Sequence, residues 1–487
     1  MSFVLSLDVG TSSVRASLYD ASARAVPGMS SGQSHVPDTT PDGGVEMDAE
    51  ALFQRSLHCV EQVLAQSGAR AADLAGVGLC TFWHSILGVG ADGLACTPIL
   101  LWADTRSTAE VDFLKEHLDR QAVHQRTGCV QHTSYVPPKL LWIARHRPEW
   151  LRKAVRWMSP GEYFHWRLFG EAACSISMAS GTGMYHDAEG CWDAGVLETL
   201  PVGEAQLGQI VDTPTPFRGL RAEFRGRLGG LDRAAWFPAA GDGACSNVGS
   251  GCTGPERVAV MVGTSGAMRV LRSGEPLPVP AGLWRYRWDC RRYLLGGALS
   301  NGGNLFSWLT ETLRVPEGEA LETVLAEAAP DAHGLTVLPF LAGERCPGWR
   351  GDARAAIVGL SWHTSPMDIL RAGLEAVAYR FALIHERLDA AAAPEHQIVA
   401  SGGALLASPA WTQLLADVLG RSVAASEESE ASSRGAALLA LQGLGLIPEP
   451  AALPGRTGRV FVPNPEHHER YRTGRARQAQ LYETLLP

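Results

Sequence analysis

Phe3-Val-Leu-Ser-Leu-Asp-Val-Gly-Thr-Ser-Ser-Val-Arg-Ala-Ser-Leu-Tyr19 is the stretch that decides how this chain folds. An apolar run reaches Leu7, Asp8 and Val9 lead into a turn of small residues over 10–13, and a second run alternates from Val14 to Tyr19. Strand, tight glycine turn and strand make a β-hairpin. About halfway along the chain, Val258-Ala-Val-Met-Val-Gly-Thr-Ser-Gly-Ala-Met-Arg-Val-Leu271 repeats that plan. Internal repetition sets architecture before any local feature does. Two copies of one hairpin predict two lobes of similar design.

Around the hairpins, helical and strand patterns alternate. Leu52, Phe53, Leu57, Val60, Val63 and Leu64 give residues 49–65 helical spacing, and 74–79 with 86–89 reads as a strand pair. Pro137-Pro138 marks the start of a helix over 136–157. In the second half, helices are predicted over 366–393, Pro409–Leu419 and 431–441, with a short strand at 397–400. The 431–441 helix has small residues on one face and can pack closely. This order of elements means α/β lobes. A boundary just before Asp242 divides the chain into an N-terminal lobe, 1–238, and a C-terminal lobe, 239–487. The Pro- and Arg-rich tail from Pro448 has less core character.

Composition narrows the function. With 487 residues, 46% hydrophobic and 19% charged, the chain has material for more than one packed domain. Its net charge is −9, and lysine occurs only at Lys115, Lys139 and Lys153. Nucleic-acid binders carry basic stripes, so nucleic acid is not an expected partner. The ten cysteines form no Cys-x-x-Cys pair and sit mostly in apolar surroundings, as reduced, non-metal thiols of a cytoplasmic protein do. Asp8 comes too early for a signal peptide. No uncharged apolar run approaches the ~20 residues that span a bilayer, so no membrane partner is expected either.

The chain has no Gly-x-x-x-x-Gly-Lys-Ser/Thr, and the first strand turn has no Gly-x-Gly-x-x-Gly. What remains is a phosphate binder built from two hydroxyl-rich hairpins, whose turn N–H groups form a nest for an anion. Asp8 beside such a site reads two ways. It is a Mg²⁺ ligand bridging to phosphate, with most waters kept on the ion, or it caps the turn. Asp242, within Ala239-Ala-Gly-Asp-Gly-Ala244, is a general base approached closely past its glycines, or an ordinary Gly-Asp-Gly turn. Trp83-His84-Ser85 and Trp102-Ala-Asp-Thr-Arg106 put an aromatic, a histidine and a charge pair in neighbouring loops, as polyol recognition requires. Taken singly, they also read as a core histidine and a structural Asp104–Arg106 pair.

In this order the segments resemble the FGGY carbohydrate kinase family, of the actin and hexokinase ATPase superfamily. The resemblance runs through Leu7-Asp-Val-Gly-Thr-Ser-Ser-Val-Arg15, Leu101-Trp-Ala-Asp-Thr-Arg106, Gly241-Asp-Gly-Ala244, Val262-Gly-Thr-Ser-Gly266, Ser401-Gly-Gly-Ala404, and Gly359-Leu with Asp368-Ile-Leu-Arg-Ala-Gly-Leu-Glu375. It covers residues 3 to about 445. Gly373, Val136 and Ser175 depart from the family pattern, Ser175 standing where many relatives place Asp.

The resemblance implies a two-lobed α/β fold, actin/hexokinase-like (ribonuclease H-like), with a cleft between the lobes. It implies ATP and Mg²⁺, a small sugar or sugar acid as partner, and a homodimer. It sets Asp8 near the metal, and Thr11, Ser12 and Arg15 near the transferred phosphate. Asp242 is then the base, while Gly263 and Thr264 hold the nucleotide phosphates. Gly303, Gly402, Gly403 and Ala404 line the nucleoside pocket, and Trp83, His84, Asp104 and Arg106 face the sugar, with Arg106 the cation for an acidic one. Within the family, Phe82-Trp-His-Ser85 and Leu299-Ser-Asn-Gly-Gly303 resemble gluconate kinases most and xylulose kinases next. An inactive actin-like scaffold would lack the base, and Asp242 is present.

Overall fold

The structure is a computed structural model that describes residues 2–68 and 73–486. β1 (Phe3–Val9) and β2 (Ser13–Tyr19) form the first hairpin, with Asp8 opposite Arg15 and Val9 opposite Val14. β3 (Ala25–Ser34) extends it antiparallel. On the other side β4 (Leu74–Thr81) runs parallel to β1, and both β5 (Ala235–Trp236) and β6 (Ala240–Gly241) run parallel to β4. The sheet order is β5-β4-β1-β2-β3, with β6 also on β4.

The second sheet restates the first. β7 (Arg257–Val262) and β8 (Gly266–Ser273) make its hairpin, with β9 (Trp284–Arg287) and β10 (Arg292–Leu299) beyond, in antiparallel array. β11 (Gln397–Ser401) and β12 (Val423–Ser426) run parallel to β7, and β13 (Thr457–Phe461) closes the edge. The order is β9-β10-β8-β7-β11-β12-β13. The repeated hairpin is therefore the centre of a repeated sheet: antiparallel strands, three in the first sheet and four in the second, then parallel ones beyond the first strand of the hairpin.

A parallel neighbour requires a crossover, and each sheet uses a helix there. α1 (Ala49–Ser67) leads from the first meander towards β4 and buries Leu52, Phe53, Leu57, Val60 and Val63, its N-terminus capped by Asp48. At the lobe junction, α2 (Asp242–Gly249) follows β6 directly. α3 (Gly303–Thr312) follows β10, and α4 (Pro366–Leu388) then crosses to β11 from a Ser365/Asp368 capping box. α5 (Ala431–Gly443) lies against α2 and across β1 and β4, so a helix of the second half covers the first sheet. Their approach is as close as glycine permits: a Cβ on Gly435 would stand 2.0 Å from the Cys245 carbonyl oxygen, and one on Gly249 1.8 Å from that of Ala431.

Several expectations change. The helix predicted over 136–157 stops at His146; Pro148 opens a separate helix to Lys153, and Arg156–Met158 is a strand. That strand, not β4, pairs with Leu87–Val89. The long helix ends at Leu388 rather than 393. The tail is no appendage: β13 joins the sheet, and α6 (Pro465–Leu485) docks with Tyr471 and Gln478 buried. Its many charges hide a narrow buried stripe.

Candidate active site

The carboxyl ends of parallel strands are where α/β sheets bind ligands, and Asp8 and Asp242 stand there, at the ends of β1 and β6 on either side of β4. Burial raises the Asp8 carboxyl to about 6; the Asp242 charge adds to the rise, while Cys80, whose thiol donates to Asp8 Oδ1 at 3.2 Å, and Arg15 oppose it. Asp8 faces that second carboxylate, and among the described residues no guanidinium lies in ion-pair contact with Asp8, since Arg15 pairs with Glu430. That donor set fits a divalent cation that keeps water ligands. Asp242 accepts the Gly243 N–H at 2.6 Å. Burial raises its pKa too, against the pull of that N–H and of the Arg269 and Arg345 guanidiniums. Such a carboxylate is a better proton acceptor than an exposed one.

The first turn is pinned from both sides. Trp102 Nε1 donates to Thr11 Oγ1 at 3.2 Å, leaving Ser12 exposed at the tip. Arg15 is ion-paired with Glu430, which precedes α5, so its guanidinium clamps the hairpin to that helix.

The sugar-side residues divide into supports and candidates for contact. Trp83 Nε1 donates to the Ser177 carbonyl at 2.9 Å, and its ring fills the space beside the Asp242 loop: a Cβ on Gly241 would lie 1.8 Å from Trp83 Cε2. Gly241 is therefore glycine because Trp83 occupies its Cβ position, not because a ligand does. His84, at φ 63°, donates from Nδ1 to the Gly181 carbonyl. Burial first, then the Arg345 and Lys139 charges, hold its pKa at about 3, so the ring is neutral. Arg106 lies 2.5 Å from Asp104 Oδ2 and 2.6 Å from Glu46 Oε1, with its guanidinium 4.2 Å from the Trp142 ring centre. It is the structural pair foreseen as the alternative, and no free cation is left there for a substrate. Ser175 caps the Ile176–Ser180 helix and donates to the Ala239 carbonyl at 2.5 Å, a backbone task rather than a pocket one.

Residues absent from the expected set also meet here. Lys139 Nζ donates to the carbonyls of Thr133, Ser134 and Tyr135 at 2.6, 2.7 and 3.0 Å, fixing the loop that brings Tyr135 within 2.6 Å of Tyr286 on β9. Arg269 on β8 and Arg345 both act on Asp242. Arg269 could have been noticed as a charge inside an apolar strand, where an arginine needs a reason. Arg345 carries no comparable signal.

The nucleotide-side residues do converge. The Gly303 N–H donates to the Gly263 carbonyl at 2.8 Å and the Asn304 N–H to that of Thr264 at 3.0 Å, joining the second turn to the start of α3. Gly402 packs on Val262, where a Cβ would fall 2.4 Å from its oxygen, and a Cβ on Gly303 would be 3.3 Å from the Ala404 Cβ. A Cβ on Gly403 would meet nothing within 4 Å. Glycine backbone facing open space beside a helix N-terminus suits nucleotide phosphates.

Elsewhere, Asp331, His333 and Glu375 cluster closely enough to ligate an ion. Arg477 already pairs with Asp331 and Arg371 with Glu375, so the trio is an ionic network that seats α6. Among the described residues no helix is long and apolar enough to cross a membrane.

Two like sheets, carboxylates at strand ends between them and a glycine-lined surface beside the second turn fit a two-lobed α/β fold of the actin/hexokinase-like class. The chain matches the N-terminal domain of the FGGY family of carbohydrate kinases over residues 3–249 and the C-terminal domain over 258–444. It belongs to that family and is a carbohydrate kinase. It is 28% identical to a gluconokinase of Bacillus subtilis (strain 168), across 100% of this chain and 94% of the relative. A gluconate kinase structure from Lactobacillus acidophilus superposes with a TM-score of 0.92 at 27% identity, covering 99% of this chain and 98% of the other. A ligand-bound xylulose kinase from the same organism also gives 0.92 and 27%, covering 100% and 98%.

Proposed function

We propose that this chain transfers the γ-phosphate of ATP to a terminal hydroxyl of a sugar acid in the cytoplasm, with D-gluconate converted to 6-phosphogluconate. The observation that carries the reading is the Asp242 carboxylate, raised in basicity by burial at the end of β6 and faced by Asp8. D-Xylulose is the alternative, favoured by the equal structural likeness of a xylulose kinase.

In this reading Asp242 accepts the proton of the acceptor hydroxyl as the hydroxyl oxygen attacks phosphorus. Phosphoryl transfer needs positioning and charge neutralisation more than covalent chemistry. Mg²⁺, when bound, supplies neutralisation of phosphate charge, with Asp8 as its protein ligand. Thr11 and Ser12 donate hydroxyls to the transferred phosphate, and the 1–238 lobe holds the acceptor. In the 239–487 lobe Gly263 and Thr264 take the nucleotide phosphates, while Gly303, Gly402, Gly403 and Ala404 line the nucleoside. Trp83 keeps the Asp242 loop in place, His84 supplies a neutral polar edge, and the Asp104–Arg106 pair shapes the pocket wall. Closure of the lobes on the acceptor excludes water, itself a competing acceptor.

Asp242→Asn tests the base. The variant is expected to fold and to bind ATP and acceptor, with turnover reduced ~10²–10⁴-fold; wild-type turnover would remove Asp242 from the role. An ATP-consumption screen over gluconate, xylulose, ribulose, glycerol and erythritol tests the acceptor. Strong activity on xylulose with none on gluconate moves the substrate to the alternative and leaves the chemistry in place.

A further inference from the structure

The charges around Asp242 do not balance. Two guanidiniums, Arg269 and Arg345, act on this one carboxylate. Among the described residues neither has a carboxylate within ion-pair distance, and the Nε of each is buried without a hydrogen-bond acceptor. Arg269 is 7% exposed and wedged behind the Asp242 loop, where a Cβ on Gly243 would lie 2.9 Å from its Nη2. It is fixed beside Asp242. Arg345 is only partly buried, its guanidinium 5.3 Å from the Trp102 ring centre, and its charge reaches His84 and His132 on the sugar side. Its neighbour Glu344 offers no relief, because Arg380 and the Tyr482 hydroxyl take that carboxylate. The other cations near the cleft are engaged: Arg106 by Asp104 and Glu46, Arg15 by Glu430, Lys139 by three carbonyls.

We infer that Arg345, rather than Arg106, is the residue that binds the carboxylate of an acyclic sugar acid, and that it sets the preference for acids over neutral sugars. The inference rests on the kinase reading above and names the residue behind its substrate class. With Asp8 assigned to the metal ion, Asp242 neutralises one of the two guanidiniums, and a monoanionic acceptor neutralises the other. A ketose or polyol leaves the partly buried Arg345 guanidinium unmatched, which is costly once lobe closure excludes water. A planar fork stacked on an indole also suits bidentate carboxylate binding better than an ammonium does.

The experiment compares D-gluconate with D-glucitol, the same carbon chain with a hydroxymethyl group in place of the carboxylate. Steady-state kcat and KM are measured for both acceptors, with KM for ATP, in the wild type, Arg345→Met and Arg345→Lys. Thermal unfolding checks that the variants are folded. The wild type should prefer gluconate. Arg345→Met should lower kcat/KM for gluconate about 10²-fold more than for glucitol, mainly through KM, and Arg345→Lys should recover part of the loss. An equal fall on both acceptors with a raised KM for ATP would assign Arg345 to the transferred phosphate and overturn the inference. Unaltered gluconate kinetics in Arg345→Met would overturn it while the gluconate reading stands. A wild type that phosphorylates xylulose or glucitol but not gluconate would overturn both.

Discussion

The two hairpins share a scaffold and differ in what they carry. In the first, Asp8 lies beside Cys80 of the parallel strand and opposite Arg15 of the antiparallel one; in the second, the corresponding Met261 lies beside Ser401 and opposite Ala267. The first turn spans 10–13 and the second 263–265, so the second is shorter by one residue, while both carry hydroxyls, Thr11 and Ser12 in the first and Thr264 and Ser265 in the second. Repetition of the sheet thus supplies two like turns, but only the first hairpin carries a carboxylate beside its turn; the other strand-end carboxylate, Asp242, lies outside both hairpins. A second acid at 261 would place another negative charge where nucleotide phosphates are to lie, with no cation nearby to separate them. In the proposed reading one lobe serves a metal ion and the acceptor, and the other an uncharged grip on an anion.

Asp8→Asn attacks that asymmetry at its strongest point. Loss of the carboxylate proposed to hold the metal should lower turnover by about 10²–10³-fold, several kcal/mol of charge stabilisation. In the metal-free protein the same substitution should raise the thermal midpoint, because an ionised carboxylate held in that burial costs about 1–3 kcal/mol. Opposite movements of activity and stability mark a residue kept for function. Met261→Leu, the matching change in the other hairpin, should move neither. Equal damage from the two would mean that the hairpins do the same work.

Gly435→Val tests whether the lobes are independent repeats. Its Cβ would collide with the Cys245 carbonyl oxygen, a rigid backbone atom, in the α2–α5 contact. A loss of about 3 kcal/mol or more is expected. Because α5 also covers β1 and β4, amide exchange should accelerate in the first sheet as well as near the substitution. Exchange confined to the second sheet would show that the lobes are not clamped together there.

Much of this was legible in the sequence because it depends on short-range pattern. The hairpins, the Pro409–Leu419 helix and the small-residue face of 431–441 follow from apolar spacing, Gly and Pro. The strand-end positions of Asp8 and Asp242 and the glycines beside the second turn could be picked out because turns and strand ends have local signatures. What escaped depends on contacts remote in sequence. Nothing near Arg106 says that Glu46 will meet it, and nothing near Gly241 says that Trp83 will fill its Cβ position. The 136–157 segment failed for a local reason: Pro148 outranks the apolar periodicity that runs through it. The tail failed because α6 buries a stripe too narrow for its many charges to reveal.

The arginines of β2 and β8, the second strands of the two hairpins, also differ. Arg15 is 39% exposed at the side chain and paired with Glu430, itself 44% exposed; Arg269 is buried and faces Asp242. Asp242 must be ionised to accept a proton, so kcat falls as pH drops through its pKa. Burial has raised that pKa and Arg269 holds the rise in check. Removing the cation in Arg269→Met should therefore push the pKa higher and move the acidic limb of the kcat profile to higher pH. Asp8 and Arg345, the other charged groups facing Asp242, are retained in that variant. Arg15→Met should leave the limb in place and cost ~0–1 kcal/mol of stability, as exposed ion pairs do. If the limb moves equally in both variants, the two arginines act through general charge rather than position, and Arg269 loses its special relation to Asp242. If it moves only in Arg269→Met, the second hairpin contributes to the base after all, through a strand residue rather than through its turn.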